Sequence, residues 1–368
     1  MEGSIKNYTT SWPSMNATAE TVIDNKPNVF IMVLSALYGA VCLLSLIGNS
    51  IICAVIINRG VQKSNIYKLL LNLSLADLLI TVTMPFYVAS TLMGHFIFGM
   101  LMCKLTFGLS HLGLRVSMLI LALISYDRYR ALVGKRWQGM SSFTINLLIL
   151  LIWLISIGVV IPQWMHLTVN KFDGLDYCQE DWPIDTYRTT YIICLFVILS
   201  VIPLIFIVVC HAKIATHFNK LIEDQTLQAA ATHRQRVIKM LALVAVFFIL
   251  CYFPYQIFYV IVLFPNIGID YRSAVFVAAI LRFIINMHSC VNPIIYGLFS
   301  TKMRDDIKRL TIKSARSSTQ LSLSKASFDS RFSKSSSTCP LGKKKPILTD
   351  LLNVIRVYNS VMRLKEKK

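Results

Sequence analysis

The 368-residue chain is 55% hydrophobic and only 15% charged, with a mean hydropathy of +0.60. A soluble domain carries about 25% charged residues, and one soluble core cannot bury this much apolar side chain and still leave a wettable surface. A soluble enzyme and a disordered chain are excluded, an integral membrane protein is indicated, and the question raised by the net charge of +19 is where the Lys and Arg lie rather than whether they bind nucleic acid.

Residues 1–29 form a polar leading segment. The first 28 lack the apolar core of a signal peptide. They contain two glycosylation sequons, at Asn7 and Asn16, which matter only if this end lies outside the cell. Seven apolar runs follow, approximately Phe30–Ile57, Leu69–Met93, Leu101–Ile124, Phe143–Trp164, Tyr191–Val209, Ile238–Phe264 and Ala274–Phe299. Each is near the ~20 residues that cross a bilayer as a helix. None shows the two-residue alternation of a barrel strand, so an all-α membrane protein is expected, a seven-transmembrane helix bundle. Pro85, Pro162, Pro203, Pro254 and Pro293 fall inside runs and should kink their helices. Residues Ser300 to Leu310, with Phe299, Met303, Ile307 and Leu310 apolar, read as a short amphipathic eighth helix on the membrane surface. The membrane-spanning body thus covers 30–310, and 311–368 is a tail.

Orientation follows from the short loops. Arg59, Lys63 and Lys68, then Arg128, Arg130, Lys135 and Arg136, then Lys213, Lys220, Arg234, Arg236 and Lys239 lie on one side, with the Lys302–Lys313 cluster. The other side has only Lys6, Lys26, Lys171, Arg188 and Arg272. The amino terminus is therefore expected outside and the carboxy terminus inside, with the basic face on anionic inner-leaflet lipid of the plasma membrane. Six of the nine Cys sit in apolar runs and read as small buried hydrophobes; with no CxxC pair, zinc and redox chemistry have little support.

Polar residues inside spans are costly and usually functional. Asn49 stands in Gly48-Asn49-Ser50-Ile51 and Asp77 in Leu73-Ser74-Leu75-Ala76-Asp77-Leu78-Leu79. Asp127-Arg128-Tyr129 closes the third span, Phe248-Ile249-Leu250-Cys251-Tyr252-Phe253-Pro254 occupies the sixth, and Asn292-Pro293-Ile294-Ile295-Tyr296 ends the seventh. Any one is weak alone. Together, in this order, they make the chain resemble the rhodopsin-like family of G-protein-coupled receptors, and within it the neuropeptide receptor group.

The resemblance implies a disulfide between Cys103 and Cys178, tying the second outer loop over a pocket. It implies that Asp77 takes part in a switch, either holding a sodium ion with Ser117, Ser289 and Asn292 or standing as a hydrogen-bonded carboxyl among waters; otherwise no cofactor is expected. Arg128 is the implied switch arginine, resting on Asp127 beside Tyr129, with Phe248, Tyr252, Pro254, Pro293 and Tyr296 as moving parts. Three departures stand out: Tyr252 replaces the usual tryptophan, His211 a tyrosine, and Arg234 the acidic residue of a lock at the base of the sixth helix.

Ser110 stands where amine receptors carry a carboxylate, and Asn286 where opsins carry a lysine, so neither a biogenic amine nor retinal is expected. The loop from His166 to Asp185 is long enough for a β-hairpin. Its acids Glu180 and Asp181 belong to a mildly acidic outer surface that would steer a basic peptide, or are simply solvated. Arg115 and Arg282 lie within spans and need partners, which keeps a carboxylate-bearing small molecule or lipid as the rival ligand. His111, Gln163, Tyr255, Gln256 and Tyr259 are the other candidate lining residues. The basic loops suit a heterotrimeric G protein. The tail, Ser-rich from Ser314 to Thr338, would by family analogy recruit receptor kinases and arrestin. Leu348, Leu351, Leu352, Ile355, Tyr358 and Met362 recur at helical spacing beside Lys clusters, suited to a membrane surface or a protein partner. A transporter or channel of seven helices is the alternative from another class, but no internal repeat supports it. No catalytic motif suggests an enzyme.

Overall fold

The computed structural model describes residues 29–61, 64–133, 139–172, 174–222, 228–264, 271–299 and 303–310. Asn7, Asn16, the serine-rich tail and the helical pattern at 348–362 lie outside them, and the side chain of Arg234 is not described. The helices are α1 (Val29–Arg59), α2 (Asn65–Met93), α3 (Gly99–Val133), α4 (Ser142–His166), α5 (Asp185–Phe196), α6 (Ile202–Ile222), α7 (Gln228–Ile261) and α8 (Tyr271–Phe299), with a further helix, α9, at 303–310. Seven spans result, because α5 and α6 run on through one π-helical turn, Val197–Val201, as the fifth.

Burial separates the helices by their place in lipid. In α3, 72% of the span is buried; in α4, only 17%. The reason is legible in α4: Leu147, Leu150, Leu154, Ile157 and Ile161, spaced by threes and fours, face outward, while Ile145, Ser156, Val160 and Gln163 are buried. In water that apolar stripe would be a liability; against lipid it is the favourable face. The third span runs through the middle and can carry motifs at both ends. It approaches α4 closely because position 108 is Gly; a Cβ there would stand 1.0 Å from Nε1 of Trp164. Gly48 does the same for α1 against Pro293, at 2.6 Å.

The π-helical turn has a local cause. Pro203 has no N–H to give to the carbonyl one turn back. The ladder slips by one residue, and the N–H of Ile202 bonds Val197 O. The turn buries Ser200.

The expected hairpin forms as β1 (Leu167–Phe172) and β2 (Leu175–Glu180), antiparallel, with Val169 opposite Cys178. Gly174, at φ 79°, makes its turn. The pair is held at its base by Asp181 N–H donating to His166 O at 2.7 Å, and at its tip by Phe96 N–H donating to Asp176 O at 2.7 Å. Cys103 and Cys178 form the disulfide, Cα atoms 5.6 Å apart.

On the opposite face α9 packs Met303 and Ile307 inward and leaves Lys308 and Arg309 exposed, the amphipathic arrangement expected of it. Its Asp306 is buried, paired with Arg59 and accepting the Tyr67 hydroxyl at 3.0 Å. Lys68, counted in sequence among the loop bases, is turned inward instead, bonding Ser142 and, at 3.0 Å, Asn146.

Candidate functional site

A narrow cavity opens beneath the hairpin, between the third, fourth, fifth and sixth spans. His111, Arg115, Gln163, Tyr252, Tyr255, Gln256 and Tyr259 line it, with Leu114, Tyr191, Ile192, Leu195, Phe196 and Val260. Seven of the residues singled out in sequence thus surround one space. Ser110 and Arg282 do not reach its wall.

Glu180 closes the top of this space and is saturated. Its Oε1 accepts from Gln163 Nε2 at 2.6 Å and from the Tyr259 hydroxyl at 2.8 Å. Its Oε2 accepts from Trp182 Nε1 at 3.0 Å and from Arg188 Nε at 3.2 Å. Burial by itself would push this carboxyl up, but Arg188, Gln163 and Tyr259 outweigh it and hold the group below the usual carboxylate range. Because Gln163 gives its amide N–H to Glu180, its oxygen must accept from His111 Nδ1, 2.5 Å away; that sets the tautomer of the ring. Glu180 is therefore a strut inside the protein rather than a free surface charge. Asp181, beside it, is exposed and contributes its backbone to the hairpin base.

The two half-buried arginines within the spans differ. Arg282 is boxed by rings: its Cζ lies 4.8 Å from the centre of Tyr87, 5.6 Å from Phe107 and 5.9 Å from Tyr255, whose hydroxyl accepts from Nη2 at 3.2 Å. Arg115 lines the cavity, its Nε is buried without a hydrogen-bond partner, and it makes no ion pair among the described residues.

From the cavity floor a column of side chains leads toward the opposite face. Tyr252 OH accepts from Gln256 Nε2 at 2.6 Å and shares a second hydrogen bond with Ser200 Oγ at 2.9 Å. Its ring stacks on Phe248, centroids 5.2 Å apart. Phe248 meets His288 edge-on at 4.9 Å. His288 faces Asp77, which also accepts from Asn292 Nδ2 at 2.7 Å and from Ser117 Oγ at 3.3 Å. Asn49 crosses to the backbone of Ser289, 2.9 Å away. Tyr296 is buried, with no hydrogen-bond partner for its hydroxyl among the described residues.

At the far end of α3, Arg128 pairs with Asp127, and Asp127 Oδ1 accepts the N–H of Met140 at 3.1 Å. The pair is thus tied to the loop before α4. Tyr129 lies under Lys213, 5.6 Å from its ring centre. Ser125 donates to Leu121 O and so accepts from His211 Nε2 at 3.2 Å, which leaves His211 a satisfied donor from the fifth span to the third. Pro254 and Pro293 sit inside α7 and α8 as expected.

A sodium ion at Asp77 wants several oxygen lone pairs turned toward it. The side chains do not present that set. Asn292 offers its amide N–H, the Ser289 hydroxyl is spent on Asn286 O at 2.8 Å, and an imidazole stands 3.4 Å from Oδ1.

Residues 48–296 match the family described as 7 transmembrane receptor (rhodopsin family). The chain belongs to that family. The receptor is 28% identical to neuropeptide Y receptor type 1 of Xenopus laevis over 299 residues, covering 77% of this chain and 81% of the relative. It is 29% identical to neuropeptide Y receptor type 6 of Mus musculus over 303 residues, with the same coverage of 77% and 81%. Somatostatin receptor type 3 of Rattus norvegicus matches at 27% over 333 residues, 84% of this chain and 76% of the relative. The receptor is a G-protein-coupled receptor and a multi-pass membrane protein.

Sequence reasoning passed over Ser200 and His288, and it counted Arg188 only among the bases of the outer loops. Ser200 and His288 are polar residues inside apolar spans, the signal that found Asp77. What marks Ser200, Arg188 and His288 as partners of Tyr252, Glu180 and Asp77 is packing between distant segments.

Proposed function

We propose that this receptor carries an extracellular peptide signal across the plasma membrane to a heterotrimeric G protein, with its amino terminus outside and its carboxy terminus inside. The relatives named as neuropeptide Y and somatostatin receptors support the peptide, and the Lys and Arg bias of the loops supports the orientation. The observation that carries the reading is the continuous column from Tyr252 at the cavity floor, through Phe248 and His288, to Asp77. With Arg128 held on Asp127, the arrangement is a resting one. A ligand that displaces Tyr252 breaks its bond to Ser200 and swings the sixth span about Pro254; Arg128 is then released toward the G protein. Activation is a population shift, so the ligand must bind the open form more tightly. The serine-rich tail then serves receptor kinases and arrestin by gaining negative charge. The test is ligand-evoked GTP exchange in reconstituted membranes: Arg128→Ala should abolish it, and unaltered exchange would refute the relay.

The state of Arg115 favours a second reading of the ligand. Glu180 is spent on four internal donors, while Arg115 is a cavity arginine with no counter-charge among the described residues. Such a group is stabilised by an incoming anion. The ligand, peptide or lipid, would then bring a carboxylate. Pairs of candidate ligands that differ only in a free or amidated terminus test this: the free acid should be the stronger agonist, and Arg115→Gln should erase the difference.

A further inference from the structure

We propose that Lys68 of α2, with Ser142 and Asn146 of α4, forms a seat for the headgroup of an anionic phospholipid, on the face of the bundle that carries the basic loops. Lys68 lies in the first turn of α2 and is only 3% exposed. Its ammonium donates to Ser142 Oγ and, at 3.0 Å, to Asn146 Oδ1. Both partners are neutral, and among the described residues Lys68 makes no ion pair. A cation taken out of water without a counter-charge is costly, and an anion brought beside it lowers that cost.

The two partners are left with donors. An ammonium can only donate, so it meets an oxygen of each, and that fixes what remains. The Ser142 hydroxyl keeps its own proton, and Asn146 keeps both N–H bonds of its amide; no hydrogen bond among the described residues uses them. Ser142 and Asn146 stand one turn apart on the same side of α4, and both are exposed. Spare donors backed by a positive charge, with no carboxylate among their described contacts, suit a phosphate oxygen. Beside them Phe143 is 77% exposed, and Leu147 and Leu150 continue the lipid-facing stripe of α4 toward the middle of the span. Headgroup and acyl chains of one phospholipid thus meet matching chemistry in the right order along α4. Basic pockets between spans at the cytoplasmic end hold anionic headgroups in this way. That the leaflet is the inner one rests on the orientation proposed above; the seat itself does not.

Purified full-length receptor in a neutral detergent tests it, because a ligand of the folded form raises its thermal midpoint by mass action. Dioctanoyl phosphatidylglycerol, whose one charge is its phosphodiester, should raise the midpoint saturably at fixed ionic strength. Dioctanoyl phosphatidylcholine, which lacks net charge, and inorganic phosphate, which lacks acyl chains, should not. An equal rise with either would overturn the assignment to an anionic lipid. Lys68→Met keeps an apolar stem and removes the ammonium, and it should abolish the rise. Lys308→Gln, which removes an exposed base of α9 on the same face, should leave it. A rise that survives Lys68→Met, or that falls as much with Lys308→Gln, would refute the seat. If Lys68→Met does not fold, Asn146→Ala at its exposed position decides. Losing one hydrogen bond should raise the lipid concentration for half-maximal stabilisation roughly fivefold, and an unchanged concentration would refute the proposal.

Discussion

Glu180, the last residue of the hairpin, reaches Arg188 in the first turn of the fifth span, Oε2 to Nε 3.2 Å, with side chains 10% and 9% exposed. The pair joins the hairpin to the bundle and, through Gln163 and Tyr259, to the fourth and sixth spans as well. Removing one partner of a buried pair leaves the other charge stranded. Glu180→Gln should cost about 3–5 kcal/mol of stability, read as a lowered thermal midpoint.

The same carboxyl makes a pH prediction. Its folded pKa lies below its unfolded one. Its contribution is therefore complete above the unfolded carboxyl's ~4.3 and disappears as pH falls through the lower folded value. Thermal midpoints of the native receptor should drop on the acid side of that window, and Glu180→Gln should flatten this part of the profile.

The Cys103–Cys178 bridge closes a loop 75 residues apart in sequence. Cys178→Ala should cost about 2–5 kcal/mol and free the hairpin from the third span. Surface expression and thermal midpoint report the loss, and dithiothreitol on the native receptor should reproduce it.

Tyr252 and Ser200 bind the sixth span to the π-helical turn of the fifth in the resting arrangement. One such hydrogen bond is worth about 1 kcal/mol, or roughly fivefold in an equilibrium. Tyr252→Phe and Ser200→Ala should each raise ligand-free GTP exchange by about that factor, and the double variant by no more.

On the opposite face, Asp306→Asn should loosen α9 from Arg59 and Tyr67. A lowered midpoint of about 1–3 kcal/mol is expected, since a buried acceptor is weakened while Arg59 keeps some access to water. Tyr67→Phe should cost less, because it removes only one donor.

The seven spans and the motifs from Asn49 to Tyr296 were legible in the sequence, because a polar residue or a proline in an apolar run is a local signal read against a quiet background; the disulfide partners followed only from the family resemblance those motifs carry. The lipid-facing stripe of α4 came from the structure, because a run that is apolar throughout does not announce which side it turns to lipid. Only the tertiary structure decided which polar groups meet. It spent Glu180 on four internal donors instead of leaving it to a basic ligand, enclosed Arg282 in aromatic rings while Arg115 kept an open flank, and set His288 against Asp77. Those choices depend on how each helix is rotated and how deeply it sits against neighbours a hundred or more residues away. A span's own sequence carries its periodicity, but not the angle at which the rest of the bundle will hold it.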